Sequence, residues 1–228
     1  MTYVTITILT LFPEVFSDIF SSSIIGKAVK KKLVKINPVN IRNFATDKHK
    51  SVDDRPYGGG LGMIMRVDVL EKAIAFSKLK SQNPNLKVRE KIILLDPTGK
   101  IFNQAKAREY ATLDHLILVC GHYEGVDARI HHFIDESISI GKYVLTGGEI
   151  PAMVITDAVT RLLPGVLSKK EATINESYTV DYLLEAPQYT RPSSYKGLKV
   201  PPVLLSGNHK EIAEWNKKQS LIRSKRTY

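Results

Sequence analysis

Three short apolar segments of this chain each break at a turn that carries glycine, and no other feature constrains the fold as tightly. Lys91 to Leu95 closes on Asp96-Pro97-Thr98-Gly99, His115 to Cys120 closes on Gly121-His122-Tyr123-Glu124-Gly125, and Ile140 to Leu145 runs into Gly147-Gly148. Helical periodicity follows around Ala105 to Tyr110 and again from Ile150 to Leu163, where a stripe of apolar residues ends at Pro164-Gly165. Tyr3 to Leu9 alternates apolar residues with Thr as a strand does, and Pro13 opens a helical pattern through Val15, Phe16, Ile19 and Phe20. Strands alternating with helices predict an α/β fold with a mostly parallel sheet.

Ligands of such sheets bind at the carboxyl ends of the strands, so the three turns can converge on one ligand; each alone also reads as an ordinary connection. Gly147 and Gly148 permit positive φ and a close backbone approach, and Pro151 is pre-set for a first helical turn. None of the turns has Walker spacing, and Gly58-Gly59-Gly60-Leu61-Gly62-Met63 lacks the last glycine of a dinucleotide fingerprint, which argues against nucleoside triphosphatases and NAD-dependent oxidoreductases. That glycine cluster, beside Asp53 to Tyr57, reads either as a mobile functional loop or as a structural Ω-loop. Asp157 and Arg161, four apart, make either a surface ion pair or a helix that offers a cation to an oxyanion or phosphate. Glu124 and Glu176 are either solvated or catalytic. His122 and the His131-His132 pair lack metal-ligand partners and read as satisfied or exposed.

The net charge of +10 points to a polyanionic partner without choosing among RNA, DNA and an anionic membrane. A single cysteine, Cys120, excludes an intramolecular disulfide and a Cys-rich zinc site. With no signal-peptide pattern and no long apolar run, the expectation is a soluble, cytoplasmic protein. Lys27, Lys30, Lys31, Lys32 and Lys35 form a basic run, which usually means a solvated face. Ser168 to Ser177 is polar and reads as a linker to a small helical module. There, Asn208 and Glu211 mark the start of a final helix whose Ile212, Trp215 and Ile222 share a face. In the same module Tyr178, Tyr182, Tyr189 and Tyr195 accompany Arg191, Lys196 and Lys199, a mixture suited to base stacking and phosphate contact.

Leu11-Phe12-Pro13-Glu14, the run Val-Asp-Asp-Arg-Pro-Tyr-Gly-Gly-Gly over 52–60, Gly-His-Tyr-Glu-Gly-Val-Asp over 121–127, the run from Gly141 to Met153, Tyr-Thr-Arg-Pro over 189–192 and Pro-Pro-Val-Leu-Leu-Ser-Gly-Asn-His over 201–209 occur in order. Together they resemble the bacterial tRNA (guanine-N1)-methyltransferases, which modify the guanine immediately 3′ of the anticodon, over nearly the whole chain. The resemblance implies a SPOUT-type parallel sheet with a deep trefoil knot over residues 1–167, a linker over 168–176, and a small all-α tRNA-binding domain over 177–228. It also implies a homodimer with active sites between subunits, and tRNA, not DNA or a membrane, as the partner.

By the same resemblance S-adenosylmethionine is held by Leu95, Asp96 and Pro97, by Gly121, Tyr123 and Glu124, and by Ile140, Gly141, Lys142, Tyr143, Val144, Leu145, Gly147, Gly148 and Pro151. Asp53, Arg55 and Arg191 fall on the substrate side. Guanine N1 carries a proton at neutral pH, so methylation needs a base together with a cation for the charge developing on O6. The resemblance assigns the cation to Arg161 and the base to a linker carboxylate. The family commonly has aspartate there; this chain reads Asn175-Glu176-Ser177, which puts Glu176 in the base position with Asp181 as the alternative. Magnesium is suggested, with no protein ligands assigned to it. The sequence ends at Tyr228, before the further helical tail of many relatives, so some C-terminal tRNA contacts fall outside what the resemblance supplies.

Overall fold

The computed structural model of the protein describes residues 4–78, 88–169, 173, 176–180 and 182–227. The expectations that fall on Tyr3, Asn175, Asp181 and Tyr228 lie outside the described residues. In chain order the strands are β1 (Val4–Thr10), β2 (Val34–Asn40), β3 (Asp53–Asp54), β4 (Ile64–Met65), β5 (Glu90–Ile101), β6 (His115–Cys120), β7 (Glu136–Ser139), β8 (Ser194–Tyr195) and β9 (Leu198–Lys199). The helices are α1 (Ser17–Ser21), α2 (Ser23–Lys30), α3 (Val67–Ser77), α4 (Gln104–Tyr110), α5 (Glu149–Thr160), α6 (Pro202–Leu205) and α7 (His209–Thr227). The chain divides into two compact units, residues 1–168 and 169–228.

In the first unit, β2-β1-β6-β5-β7 lie side by side in that order, every pair parallel. All six residues of central β6 are buried, which is why its sequence is an unbroken apolar run and not an alternation. Side chains alternate between the faces. Leu116, Leu118 and Cys120 join Ile25 and Ala28 of α2, Tyr110 of α4, and Ile155 and Val159 of α5 in one core. Ile117 and Val119 join Val69, Leu70, Ala73 and Ile74 of α3 in the other. Each fully buried Leu or Ile contributes roughly 1.5–3 kcal/mol, so two layers of helix are needed to cover such a strand.

Three local expectations change. β5 does not end at Leu95: Leu95 and Lys100 both pair with Ile138 of β7, so residues 96–99 form a bulge from which the strand resumes. Asp96 shapes it by accepting from the Thr98 backbone N–H at 2.7 Å and from the Thr98 hydroxyl. The helical pattern after Pro13 is broken into a 3₁₀ turn, Pro13–Phe16, followed by α1 and α2; Phe16 and Phe20 are buried while Val15 and Ile19 stay exposed. β2, a strand the periodicity does not announce, carries Pro38 and lies at the sheet edge, where a missing N–H is tolerated.

The second unit holds the β8–β9 hairpin and irregular chain over 182–193 besides α6 and α7, so it is not the all-α module expected. Asn208 caps α7 as expected, its side-chain oxygen accepting from the backbone N–H groups of Lys210 and Glu211. Ile212 and Trp215 are half-buried, but Ile222 is exposed. The buried stripe continues instead through Ser224, whose hydroxyl accepts from Leu184 N–H at 2.9 Å and donates to the Ser220 carbonyl at 2.8 Å.

An ion-pair network joins α4 to the sheet. Glu136 receives Lys106 Nζ at 2.7 Å, Lys91 Nζ at 3.3 Å and the Tyr110 hydroxyl at 2.9 Å, and Lys91 also pairs with Glu109. Burial alone would raise the Glu136 carboxyl, but Lys106, Tyr110 and Lys91 outweigh it and hold the group below its usual value. A depressed carboxylate stabilises the fold above its unfolded pKa, and that stability is lost as pH falls through the folded value. Glu136→Gln is therefore expected to cost about 1–3 kcal/mol at neutral pH. Its unfolding temperature should also fall less steeply than that of the wild type below about pH 4.3. Parallel acid limbs for the two proteins, measured by thermal unfolding, would count against the network.

Candidate active site

At the bulge of β5 and the carboxyl ends of β6 and β7, three loops enclose a cavity of about 290 Å³. The β5 bulge supplies Leu95, Asp96 and Pro97; the loop after β6 supplies Gly121, Tyr123 and Glu124. The segment between β7 and α5 supplies Ile140, Gly141, Tyr143, Val144, Leu145, Gly147, Gly148 and Pro151. Of the residues expected to hold the methyl donor, Lys142 alone does not line the cavity, its side chain being exposed.

The expectation of positive φ at the double glycine is not met. Gly148 has φ −81° and neither glycine is in the left-handed region. The requirement is one of space: a Cβ on Gly148 would fall 2.6 Å from the Cys120 Cα. Gly148 N–H donates to Gly121 O at 2.9 Å, and Gly147 forms an antiparallel bridge with His122, so the third loop is laid directly on the end of β6. Left-handed backbone occurs instead in the second loop, at Tyr123 with φ 59° and Gly125 with φ 122°. For tyrosine this conformation costs about 1–3 kcal/mol, strain that concentrates at ligand-binding turns.

The second loop is backed by the ribbon of β3 and β4. Glu124 N–H donates to Met63 O, Met65 N–H to Gly125 O and Asp127 N–H to Met65 O, while Met65 pairs with Asp53 across the ribbon. Asp53 thus lies beside the second loop, and neither it nor Arg55 is on the cavity wall. The glycine-rich connection from β3 to β4 carries Tyr57 and Leu61 almost fully exposed. Arg161 closes the other end of α5 and does not line the cavity either; the helix rise puts it about 15 Å along the axis from Pro151.

Glu176 and Arg191 belong to the second unit. Glu176 N–H donates to Thr179 Oγ1 at 3.3 Å and the Thr179 hydroxyl returns a bond to Glu176 O at 2.7 Å. Glu176 also lines a groove of about 750 Å³ within that unit, together with Leu184, Tyr189 and Lys217. Arg191 is exposed.

Thr98, His122, Gly125, Val126, Ile138, Ser139 and Thr146 also line the cavity, although sequence reasoning did not select them. Most sit inside the turns already suspected, and Ile138 and Ser139 end β7. His122 departs from the satisfied or exposed state expected of it, because its Nδ1 is buried without a hydrogen-bond partner. Phe12 and Tyr123 pack edge-on against its ring.

Leu95, Pro97, Ile138, Ile140 and Leu145 give the cavity apolar walls suited to a flat ring, and Asp96 and Glu124 bring carboxylates suited to a cationic group. Burial pushes the Cys120 thiol well up, the Glu149 charge adding to it, so this thiol stays neutral and is no nucleophile. Among the described residues no group of three or more His, Cys, Asp or Glu converges as a metal site, and no helix is long and apolar enough to cross a membrane.

A family model described as tRNA (Guanine-1)-methyltransferase TrmD matches residues 4–228. The chain belongs to this family. Among relatives named tRNA (guanine-N(1)-)-methyltransferase, that of Caldanaerobacter subterraneus subsp. tengcongensis is 52% identical over 214 residues, 94% of this chain and 86% of the relative. That of Carboxydothermus hydrogenoformans is 53% identical over 218 residues, 95% of this chain and 83% of the relative. That of Latilactobacillus sakei subsp. sakei is 48% identical over 223 residues, 98% and 87%. A methyltransferase family brings S-adenosylmethionine as methyl donor.

The close contact at Gly148 makes a direct prediction. Gly148→Ala must push the third loop off β6, since the clash is with main chain and cannot be relieved by a rotamer change. The variant should lose roughly 1–3 kcal/mol of stability, read by denaturant unfolding; an unchanged midpoint would mean the two loops are not in contact.

Proposed function

We propose that the protein transfers a methyl group from S-adenosylmethionine to N1 of the guanine immediately 3′ of the anticodon in tRNA. The observation that carries this reading is the convergence of three loops on one apolar cavity edged by two carboxylates, in a chain of this family. The residues present fit the donor: the apolar walls suit its adenine, and Asp96 and Glu124 suit its cationic methionine end. When bound, S-adenosylmethionine supplies an electrophilic methyl group on a sulfonium. Ile140, Gly141, Tyr143, Val144 and Leu145, with Gly121, Tyr123, Gly147, Gly148 and Pro151, would shape the pocket around it. Lys142 is assigned only as a neighbour on the same loop.

Glu176 takes the N1 proton onto its carboxylate, and Arg161 stabilises the negative charge that develops on O6. Asp53, Arg55 and Arg191 hold the RNA. Arg161 lies one helix length from the cavity of its own chain, which supports its delivery to the cavity of a second copy. Tyr143, Val144, Ile150 and Val154 form exposed apolar surface on the third loop and the start of α5, and a homodimer would cover it.

The trefoil knot is supported by the course of the chain. It leaves β7 at the sheet edge, passes back over the end of β6 at Gly147-Gly148, and enters α5 packed beside β1 and β6. Residues 168–176 are assigned as the linker and 177–228 as the tRNA-binding domain, whose exposed Tyr182, Tyr189 and Tyr195 suit base stacking. The cytoplasm, where tRNA is modified, is the assigned location. Among the described residues no group of three or more His, Cys, Asp or Glu offers magnesium a ligand set.

Methyl incorporation into a tRNA transcript, with the modified nucleoside identified by mass spectrometry, tests the reaction. Incorporation as 1-methylguanosine should vanish when the guanine after the anticodon is replaced by adenine; equal incorporation into both transcripts would overturn the assignment. Arg161→Ala should lower kcat by about 100-fold or more with donor affinity unchanged by calorimetry. Mixing Arg161→Ala with an inactive Glu124→Ala chain should restore part of the activity if the arginine acts across subunits, and no recovery would place it in its own chain's site.

A further inference from the structure

Three chain segments meet behind the cavity: the end of β1, the second loop and the third loop. Thr10, fully buried, donates its hydroxyl to Glu149 Oε1 at 2.8 Å and accepts from Phe12 N–H at 3.0 Å. Phe12 in turn packs its ring edge-on against His122 at 5.2 Å. The third loop runs between these two anchors, with Gly147 bridged to His122 and Gly148 N–H bonded to Gly121 O. The other oxygen of Glu149 and the ring of His122 then face the same small space. A Cβ on Gly147 would lie 2.6 Å from His122 Nδ1 and closer still to Glu149 Oε2.

Nδ1 of His122 is buried with no hydrogen-bond partner, a state that costs about 1–3 kcal/mol unless a partner is gained. The carboxylate oxygen that shares its space is the acceptor that a small side-chain rotation brings to it. Gly147 is what leaves the space open. We propose that Glu149 and His122 form a carboxylate–imidazole clamp across Gly147 that fixes the third cofactor loop between the second loop and β1, making Glu149 a positioning residue for methyl transfer. The role in transfer rests on the S-adenosylmethionine reading; the clamp itself does not.

The clamp dictates a tautomer. Glu149 can only accept, so His122 carries its proton on Nδ1 and donates it. In Glu149→Gln the amide keeps an oxygen for Thr10 and turns its NH₂ toward His122, so the ring must present a bare Nδ1 and move its proton to Nε2.

Nitrogen-15 NMR of the imidazoles in the ligand-free, full-length protein reads this directly. His122 is assigned by its loss in His122→Gln. The expected result is an Nδ1–H tautomer in the wild type and an Nε2–H tautomer in Glu149→Gln; the same tautomer in both proteins would overturn the clamp. In turnover assays Glu149→Gln should raise the KM for S-adenosylmethionine roughly tenfold, with kcat and the KM for tRNA little changed. A fall in kcat alone would overturn the positioning role.

Gly147→Ala, which fills the space, should give the same rise in KM; because it could also disturb folding, Thr10→Val provides a second variant that frees the Glu149 carboxylate, together with the Phe12 N–H, while leaving the space open, and should raise KM by a smaller factor. Unchanged KM in both would overturn the proposal. Absence of any heat with S-adenosylmethionine in wild-type calorimetry would instead remove the cofactor reading and leave the tautomer result standing.

Discussion

The main-chain bond from Gly148 to Gly121 is the contact on which the site depends. It joins the start of α5 to the end of the central strand, and the chains approach closely enough to form it because residue 148 carries no side chain. With it in place, the segment between β7 and α5 becomes a wall of the cavity. Without it, the β5 bulge and the second loop would border open solvent. Substitution at Gly148 would therefore change the site through the backbone, before any ligand contact is considered.

How much of this was legible in the sequence depends on how strongly each segment writes its environment into its residues. β6 is buried on both faces, so its apolar run and terminal glycine announce a strand and a turn together. β7, Glu-Ser-Ile-Ser, has four residues and no pattern, because most of its pairing is main chain. The β5 bulge could not be read for the same reason, since the strand it rejoins was not visible. The double glycine was legible as a special position, but the cause was close approach and not φ. His122 carried no signal at all: a lone histidine without ligand partners reads as ordinary, and only the three-dimensional crossing at Gly147 gives its Nδ1 a place.

Arg161 illustrates a different limit. Its spacing from Asp157 and from the glycine turn is plain in the sequence, and a helix converts that spacing into distance. Periodicity tells which face a residue takes and not whether the far end of a helix serves its own chain. The length of α5 turns a question of residue identity into one of assembly. Charge behaved similarly, for the basic excess names a class of partner and not the surface that meets it.

Pro38 has a consequence outside the site. The sheet is open at β2 and β7, and an open edge invites another strand to add to it. Pro38 has no N–H to give such a strand, and exposed Lys35 on the same edge would repel a like copy of itself. Growth of the sheet across β2 is thereby discouraged, so a seven-residue edge strand can stay exposed without recruiting a neighbour.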